Sequence, residues 1–378
     1  MRVALDATPL LGLPTGVGAF CEGALAALAQ RPALTVQAFA VSWRRRSLID
    51  HRLPRGVTAR QRPMPARPLH KLWERSDVPP VEWFVGAADV VHGTNFVVPP
   101  TRHAAAVVSV HDLTPLHYPE LCNAATLAYP RLIERALDRG AWVHADSAFV
   151  AAEVVDAFEA DPDRVRSVSP GVPDLPEIDA VQAEDAQRRL LPSGTGRYCL
   201  AIGTAEPRKD LPGLVRAFDA VAARHPDVSL VLAGPPGWGE EKLEAALAAS
   251  RWRTRIVRTG WLEPLDLAAL LARAAVLAYP SLYEGFGFPP LQAMRARVPV
   301  VATRAGSLPE VLGNGALMVE PGDPDSLAAG LETCLSDGRT RDALVSAGAA
   351  WSARFSWQRC GEGLEALYRD AAAGAPRA

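Results

Sequence analysis

Short apolar runs alternate with longer amphipathic stretches along most of this chain of 378 residues. This alternation is typical of parallel sheets covered by helices, the doubly wound α/β architecture. In the first half it predicts the strands Arg2–Ala7, Leu34–Val41, Asp89–His92, Ala106–Val110 and Trp142–Asp146. The helices predicted between them are Val17–Gln30, Ala124–Arg139 and Ala148–Glu159.

The same pattern restarts in the second half of the chain. Strands are predicted at Tyr198–Gly203, Val228–Gly234, Arg255–Thr259, Ala275–Tyr279 and Val298–Ala302. Helices are predicted at Leu211–Arg224, Glu240–Ala249, Pro264–Arg273, Pro289–Arg297, Asp325–Leu335, Thr340–Ala353 and Trp357–Ala371. The segment between the two halves is rich in proline, glycine and acidic residues, the composition of a linker.

The sequence therefore predicts two similar α/β domains. The first spans residues 1–171, a linker spans 172–196, and the second domain spans 197–355. Residues 356–378 form a closing helix with a frayed tail, and this helix is expected to cross back onto the first domain. Two such domains leave a cleft between them, which is the usual place for a binding site.

Composition excludes several classes of protein. Hydrophobic residues make up 49% and charged residues 22% of the chain, as in an ordinary globular protein. The five cysteines are scattered and form no Cys-x-x-Cys pair, which argues against a disulfide framework and a zinc site. No apolar run reaches the length of about 18 residues that a membrane span needs, and the N-terminal run is too short for a signal peptide. We therefore expect a cytoplasmic protein.

Positive charge is concentrated between residues 44 and 75, where ten Lys/Arg stand against two Asp/Glu. This local excess of +8 leaves −10 on the remaining residues, because the net charge of the chain is −2. The interleaved apolar side chains are Trp43, Leu48, Ile49, Leu53, Met64, Leu69, Leu72 and Trp73. Such a surface suits peripheral contact with the inner face of the plasma membrane or with a lipid-linked acceptor, and a solvated arginine-rich loop is the alternative. No nucleic-acid partner is expected, because no recognised motif accompanies the charge.

The segment that begins at Pro280 carries the strongest chemical signal. It reads Pro-Ser-Leu-Tyr-Glu-Gly-Phe-Gly-Phe-Pro-Pro-Leu-Gln-Ala-Met and joins a predicted buried strand to a predicted helix. Ligands of open α/β sheets lie beyond the carboxyl ends of the strands, where helix N-termini offer N–H groups to anions. A carboxylate at that position, Glu284, can order sugar hydroxyls or a developing cation, while glycines let the backbone approach the ligand closely. These features predict a nucleotide-sugar site.

This segment resembles the signature of the retaining GT-B glycosyltransferase family 4, the glycosyl transferases group 1, which includes many mannosyltransferases. The resemblance implies the GT-B fold, in which two Rossmann-like domains face each other across a cleft. It also implies donor contacts from Gly285, Phe286, Gly287 and the residue at position 292. In the family that last position is a glutamate that accepts hydrogen bonds from the donor ribose, but here it is Gln292. An amide keeps one acceptor, so we expect donor binding weakened about tenfold and activity retained.

Arg208 and Lys209 follow the first predicted strand of the second domain, which ends at Gly203. Two cations at this position suit a diphosphate leaving group, because negative charge builds on its oxygens as the glycosidic bond breaks. A solvated pair at a helix start is the alternative, but the helix dipole disfavours cations there. The pair is similar to the family's Arg-Lys pair, and the resemblance implies that it binds the donor diphosphate, with Gly203 beside it.

Gly16 and Gly18 open the first predicted helix, where backbone N–H groups can receive a phosphate. A dinucleotide-binding fingerprint is excluded because Cys21 stands at the place of its third glycine. The glycine pair resembles the glycine-rich loop of family 4, so the resemblance implies that it contacts the donor phosphate.

His111 and Asp112 follow a predicted buried strand of the first domain and are expected to open onto the cleft. In the family the matching histidine contacts the transferred sugar, so the resemblance implies this role for His111. A histidine that bonds a nearby backbone group is the alternative. Asp112, together with Asn95 in a neighbouring loop, is a candidate for the acceptor side.

Two Asp-Pro-Asp triplets, at 161–163 and 323–325, are the places where a metal could bind with a nucleotide-sugar. Proline at the centre of each favours a turn or a helix cap instead. We therefore expect no catalytic metal and no cofactor other than the nucleotide-sugar donor.

The residue features together predict a nucleotide-sugar-dependent enzyme without a catalytic metal, and the resemblance to family 4 implies a retaining hexosyltransferase of polysaccharide biosynthesis. Its expected catalytic residues are Glu284, His111, Arg208 and Lys209, and its expected donor is GDP-mannose, with UDP- and dTDP-sugars left open. The expected acceptor is a hydroxyl of a glycan, a lipid-linked glycan or a small molecule. The alternatives are a nucleotide-sugar-binding protein without turnover, which Gln292 favours, and an epimerase or a phosphorylase of the same fold.

Overall fold

The computed structural model describes residues 1–12, 15–60 and 62–374, and it divides the chain into two compact units. The first unit comprises Met1–Pro119, Ala124–Gly171 and the chain from Phe355 on. The second unit comprises Glu120–Asn123 and Val172–Arg354. Each is a parallel sheet with helices, so the predicted α/β fold class is confirmed.

The strands described in the first unit are β1 Arg2–Asp6, β2 Thr35–Phe39, β3 Thr58–Arg60, β4 Val90–Gly93, β5 Ala105–Val110, β6 Trp142–Ala145 and β7 Val165–Ser167. They form one parallel sheet in the order β3-β2-β1-β4-β5-β6-β7. The helices of this part of the chain are α1 Gly16–Ala29, α2 Ala66–Trp73, α3 Glu82–Val85, α4 Thr114–His117, α5 Tyr129–Asp138 and α6 Ala148–Phe158.

The strands described in the second unit are β8 Arg197–Ile202, β9 Val228–Ala233, β10 Ile256–Gly260, β11 Val276–Tyr279, β12 Val300–Thr303 and β13 Leu317–Val319. They form a parallel sheet in the order β10-β9-β8-β11-β12-β13. Its helices are α7 Ala180–Leu190, α8 Leu211–Arg224, α9 Glu240–Ala249, α10 Pro264–Arg273, α11 Phe288–Arg295, α12 Leu308–Leu312, α13 Pro324–Ser336 and α14 Gly338–Ser352.

Both sheets reverse their strand order at one point, between β1 and β4 in the first and between β8 and β11 in the second. The strands at these points are apolar and almost wholly buried, since helices cover both faces of a parallel sheet. Ligands of doubly wound sheets bind outside the carboxyl ends of the strands at such a switch point. The fold therefore directs attention to the loops that follow β1, β4, β8 and β11.

The last helix of the chain, α15 Trp357–Gly374, packs against α1 within the first unit. Gly23 on α1 makes room for the ring of Trp357, which lies 2.2 Å from the position that a Cβ at residue 23 would take. The hydroxyl of Tyr368 lies 2.6 Å from Nδ1 of His92 on β4. The helix is thus part of the core of the first unit.

The predicted strands and most of the predicted helices are confirmed to within a few residues. The pattern does not predict β3, β7 and β13, because three residues are too few to show an alternation. It also predicts no helix in segment 172–196, where α7 lies. That helix begins with a capping box of Asp179 and Gln182 and packs against α10. The helix predicted at Ala124–Arg139 is shorter, because α5 begins only at Tyr129 after a 3₁₀ turn at Thr126–Ala128.

Part of the basic segment at 44–75 belongs to the core. Of its interleaved apolar side chains, four are buried: Ile49, Met64, Leu69 and Trp73. Trp43, Leu48 and Leu72 are exposed by 57%, 48% and 44%. In the described part of the chain, no helix combines the length and the hydropathy that a membrane span would need.

Candidate active site

The switch point of the second sheet brings two predicted functional segments together. After β8 the chain makes a 3₁₀ turn at Pro207–Lys209 and enters α8, and after β11 it runs through Glu284 into α11. Because β8 and β11 are neighbouring parallel strands, both loops leave the same edge of the sheet. Arg208, Lys209 and Glu284 consequently meet within this unit.

Glu284 is bound by both cations. Its Oε2 lies 2.7 Å from Nη1 of Arg208, and its Oε1 lies 2.5 Å from Nζ of Lys209. Nε of Arg208 lies 3.2 Å from a carboxylate oxygen of Glu206. Two cations and two carboxylates therefore form one network, in which Glu284 is the shared partner.

Burial and charge act in opposite directions on Glu284, which is only 5% exposed. Burial alone would raise the pKa of its carboxyl group, but the charges of Arg208 and Lys209 and their hydrogen bonds lower the pKa to about 2. Burial lowers the pKa of Lys209, and Glu284 opposes this shift. Glu284 is therefore an anion throughout the neutral pH range.

Tyr279, the last residue of β11, is a member of this network that the sequence pattern places only in the core. Nζ of Lys209 donates to its hydroxyl at 2.7 Å and lies 4.6 Å from the centre of its ring. The sequence does contain a signal for Tyr279. It is a residue with a polar hydroxyl group at the carboxyl end of a strand, directly before the segment that carries Glu284. Tyr279 fixes the direction of the Lys209 side chain.

The backbone of Glu284 is held by the loop after β12. Its carbonyl oxygen accepts a hydrogen bond from N of Ser307 at 2.9 Å. A Cβ at Gly306, which has φ of +55°, would lie 2.3 Å from that oxygen, so only glycine allows this approach. The position of the carboxylate is thus set by backbone contacts as well as by its ion pairs.

Four residues of the second unit that are predicted to contact the donor lie next to this network along the chain. Gly203 follows β8 directly, with Cε of Lys209 3.5 Å from the place a Cβ would take. Gly285, Phe286 and Gly287 lie between Glu284 and α11, and Gly287 is the N-cap of that helix. Phe286 is buried edge-on against the next phenylalanine at 5.4 Å, which makes it a packing residue as well.

Gln292, on α11, has a contact that explains an amide at this position. Its Nε2 donates to the carbonyl oxygen of Pro173 at 3.3 Å. Arg295 on the same helix donates to the carbonyl oxygen of Val172 at 3.1 Å and pairs with Asp174 at 2.8 Å. A glutamate could not donate this bond, so Gln292 helps to hold the segment around Pro173, at the start of the longer stretch of the second unit. Its carbonyl oxygen remains an acceptor for a ribose hydroxyl.

In the first unit, His111 follows β5 and is buried between two acceptors. Its Nδ1 lies 2.8 Å from Oδ2 of Asp146 and its Nε2 lies 2.8 Å from the carbonyl oxygen of Thr94. Because both partners are acceptors, this arrangement favours the doubly protonated imidazolium form of the ring, in which both nitrogens donate. Burial opposes this charge, but Asp146 and the bond to Thr94 raise the pKa of His111 above its usual value.

Asp146 is the partner of His111 that the sequence motif does not reveal, because the two residues are far apart in the chain. It follows β6, the neighbour of β5, so the two side chains meet at one edge of the first sheet. Both nitrogens of His111 are engaged by protein acceptors. The contact between His111 and the transferred sugar therefore stays a prediction, as does the alternative of a structural histidine.

The two acceptor-side candidates make local contacts. Oδ1 of Asp112 accepts a hydrogen bond from N of Thr114 at 3.0 Å, at the start of α4. Asn95 hydrogen-bonds the hydroxyl of Tyr129. Both contacts order the loops in which these residues lie, and their roles toward an acceptor stay predictions.

The glycine pair lies where the sequence predicts, at the start of α1. Gly16 is the first residue of the helix, and Thr15 is its N-cap. The N–H of Gly18 donates to Oγ1 of Thr15 at 3.1 Å. Because this cap occupies the amide of Gly18, the earlier amide of Gly16 is the better placed of the two to receive a phosphate.

The two Asp-Pro-Asp triplets have the structural roles that the sequence predicts. The triplet at 161–163 forms a turn, and the triplet at 323–325 caps a helix. Asp161 accepts from N of Asp163 at 3.0 Å, and Asp323 caps α13 by accepting from N of Asp325 and N of Ser326. Within residues 1–12, 15–60 and 62–374, no group of three or more His, Cys, Asp or Glu is placed to hold a metal ion.

Comparison with known proteins gives consistent results. The sequence profile of the family described as "Glycosyl transferases group 1" matches residues 182–351. O-antigen chain mannosyltransferase B of Escherichia coli is 32% identical over an alignment of 286 residues, and the match covers 72% of this chain and 71% of the relative. D-inositol 3-phosphate glycosyltransferase of Salinispora arenicola is 33% identical over 241 residues, 59% of this chain and 53% of the relative. The crystal structure of Anabaena Alr3699/HepE in complex with UDP and glucose has a TM-score of 0.74 at 19% identity, over 97% of this chain and 98% of that one.

The two parallel sheets with helices give the chain the GT-B fold, which it shares with the Anabaena structure. The chain belongs to the glycosyl transferases group 1 family and is a glycosyltransferase with mannosyltransferases among its relatives.

Proposed function

We propose that this protein transfers a hexose from a nucleoside diphosphate to a hydroxyl of a glycan, a lipid-linked glycan or a small molecule. The observation that carries the proposal is the meeting of Arg208, Lys209 and Glu284 at the switch point of the second sheet. Mannose from GDP-mannose is the leading donor, since a relative at 32% identity is a mannosyltransferase. UDP-sugars are the next choice, because the similar Anabaena structure holds UDP and glucose.

Arg208 and Lys209 bind the donor diphosphate in this proposal. When the donor binds, the N–H groups that now donate hydrogen bonds to Glu284 donate them to phosphate oxygens instead. The negative charge of these oxygens increases as the bond to the sugar breaks, which strengthens the hydrogen bonds. Glu284 then turns toward the sugar, where its charge stabilises the positive charge that develops at the anomeric carbon. Glu284 is already an anion at neutral pH before the donor binds, because Arg208 and Lys209 lower the pKa of its carboxyl group.

The transfer retains the anomeric configuration in this proposal. The bond between the anomeric carbon and the diphosphate oxygen breaks, and the acceptor oxygen bonds the same carbon from the same face. The acceptor proton passes to the departing phosphate oxygen, so the products are a glycoside and a nucleoside diphosphate. No metal takes part, because two protein cations already supply the charge that the leaving group needs.

His111 positions the sugar in this account. Asp146 fixes its ring, and a direct contact requires Nε2 to exchange the carbonyl oxygen of Thr94 for a sugar hydroxyl. The amide of Gly16, in the first unit, is a further proposed contact for a donor phosphate. Gln292, in the second unit, is the proposed contact for the donor ribose.

A nucleotide panel tests the donor. Thermal unfolding is measured with GDP, UDP, dTDP, ADP and their common sugar conjugates, with and without EDTA. We expect nucleotides with one particular base to raise the melting temperature, with or without EDTA. We expect Lys209→Met to lower the affinity for that nucleotide at least tenfold. Glu332→Gln is the control. Glu332 lies on α13 and pairs with Arg224 on α8, and neither residue belongs to the network around Glu284. No shift with any nucleotide at millimolar concentration would contradict the proposal.

A second candidate, donor binding without turnover, is favoured by Gln292, whose amide is engaged by Pro173. It predicts a melting shift with one nucleotide-sugar and no release of nucleoside diphosphate during long incubation. Proton NMR of the sugar signals distinguishes the two, because transfer or slow hydrolysis replaces the donor signal by an α-anomeric product in the retaining case.

A further inference from the structure

A cavity of about 370 Å³ lies in the second unit, at the amino ends of three neighbouring strands. Its lining includes the first residue of β8 and the residues directly before β11 and β12. Arg208 and Glu284 follow the carboxyl ends of β8 and β11, so the cavity is at the opposite edge of the same sheet. It is therefore separate from the proposed donor site.

The cavity is rich in positive charge. Four of its lining residues are arginines, namely Arg197, Arg273, Arg297 and Arg341, and one is an acid, Asp342. Asp227, which pairs with Arg197, offsets one more charge. The excess is then 4 − 2, or +2, in a chain whose net charge is −2. Apolar residues, among them Pro299, Cys334 and Leu335, complete the lining.

Arg297 occupies a backbone position that favours glycine. It follows the C-cap of α11 and has φ of +60°. Its N–H bonds the carbonyl oxygen of Met294 at 3.1 Å, and the N–H of Val298 bonds that of Ala293 at 2.9 Å, which is the Schellman pattern. Glycine is usual at this place because a side chain there is strained. A strained residue with a charged side chain at a cavity is a reason to consider a function.

Each of the other arginines makes at least one contact with a neighbouring group. Arg197 binds Asp227 through Nε at 2.7 Å and the carbonyl oxygen of Leu335 through Nη1 at 3.1 Å. Nε of Arg273 donates to the side-chain oxygen of Gln187. Arg341 donates to Asp342 at 3.1 Å. Each of these guanidinium groups has further N–H donors, so an anion in the cavity can be bound without breaking these contacts.

Helix-dipole effects do not account for this set. A cation at a helix C-terminus is favourable, which explains Arg273 at the end of α10. Arg341, in contrast, lies near the start of α14, where a cation is unfavourable, and Arg197 begins a strand. The binding of one anionic ligand would account for the presence of all four arginines at this cavity.

We propose that this cavity binds a small polyanion that carries phosphate or diphosphate groups, at a site distinct from that of the sugar donor. Guanidinium groups match phosphate oxygens in pairs, and the volume is within the range of about 300–1,000 Å³ that small-molecule sites have.

Calorimetric titration of the full chain with inorganic pyrophosphate tests the proposal. Pyrophosphate is expected to bind at two places, and Lys209→Ala removes only the donor-site component. Arg297→Gly and Arg273→Ala should each weaken the other component at least tenfold, because each removes charge-assisted bonds. Arg253→Ala is the matched control, since Arg253 precedes β10 at the same edge of the sheet but lies outside the cavity lining.

Arg297→Gly also has a structural readout. Glycine relieves the positive φ and reduces the repulsion among the arginines, so the melting temperature without anions should rise while pyrophosphate binding weakens. The proposal is overturned if Lys209→Ala alone abolishes all binding, if Arg297→Gly and Arg273→Ala leave both components unchanged, or if Arg253→Ala weakens binding as much as they do.

Discussion

At the scale of single residues, the central feature is one carboxylate shared by two cations. Glu284 holds Arg208 and Lys209 in place, and the same N–H groups are the ones that a diphosphate would use. The carboxylate therefore has two parts in this account, since it orders the cations and later faces the sugar. Its contribution to stability can be measured separately from its contribution to turnover.

The ionisation of Glu284 predicts a dependence of stability on pH. Because its pKa in the folded protein is about 2, below the ordinary 4.5, its contribution is present above pH 4.5 and is lost as the pH falls toward 2. Glu284→Gln should lower the free energy of unfolding by about 1–3 kcal/mol at pH 6. Urea unfolding of both proteins should show this gap closing in acid. A gap that is the same at pH 6 and pH 3 would contradict the ion-pair geometry.

His111 predicts a shift of the opposite sign. Its pKa is raised above 6.5, so its contribution to stability is complete below that value and is lost as the pH rises through the folded-state pKa. Asp146→Asn removes the charge that holds the proton and should lower the pKa of His111. Imidazole NMR signals measure this directly, with Asp138→Asn as control because Asp138 is exposed at the end of α5. If the titration of His111 is unchanged in Asp146→Asn, the ion pair with Asp146 is excluded as the cause of the raised pKa of His111.

Sequence motifs identified Arg208, Lys209 and Glu284 but not their partners. Tyr279 has the hydrophobic pattern of a core strand, and its contact with Lys209 depends on the pairing of β11 with β8. Asp146 is likewise brought to His111 by the pairing of β5 with β6. Contacts of this kind depend on which strands are neighbours, and a motif within one segment does not contain that information.

At the scale of elements, the packing of α15 against α1 is the most specific feature of the first unit. Gly23→Ala would place a methyl group 2.2 Å from the ring of Trp357, so the two helices would have to separate. We expect a loss of about 1–3 kcal/mol in the free energy of unfolding, seen as a lower melting temperature. Gly12→Ala is the control, because among the described residues other than its chain neighbours no atom lies within 4 Å of its added Cβ. Equal melting temperatures for the two variants would contradict this packing.

The basic segment gives a second prediction at this scale. Arg67, Lys71 and Leu72 on α2 are exposed, whereas Leu69 and Trp73 on the same helix are buried. We predict binding to vesicles that contain anionic lipid, reduced severalfold by Arg67→Glu with Lys71→Glu and by raised salt. Co-sedimentation measures it, with Arg253→Glu as control. No binding to either kind of vesicle would support a solvated surface instead, and equal binding to neutral and anionic vesicles would contradict the role of the positive charges.

Element prediction succeeded where the hydrophobic pattern was long. Helices such as α8, α9 and α10 have the predicted bounds, whereas β3, β7 and β13 at the edges of the sheets are too short to be recognised. Segment 172–196 has the proline and glycine content of a linker, but it also contains the capping box of α7. In this segment the local capping signal is a better guide to the helix than the average composition.

At the scale of the whole molecule, fold and family agree with what the sequence motifs imply. Two parallel sheets with the same kind of strand order, and relatives that include mannosyltransferases, make the chain a glycosyltransferase of group 1. Which donor and acceptor it uses depends on a few contacts to the base and to the acceptor, and neither contact has a motif of its own. The account at this scale therefore depends on the donor being consumed at the Glu284 network.

The most direct measurement is the release of nucleoside diphosphate from GDP-mannose and UDP-glucose by the purified protein, compared with Glu284→Gln and Glu332→Gln. The account predicts measurable release from one donor with EDTA present, a loss of at least a hundredfold in Glu284→Gln, and unchanged release in Glu332→Gln. Release by Glu284→Gln within a few-fold of that by the unmodified protein would contradict the account, because the transfer would then not depend on the carboxylate between Arg208 and Lys209.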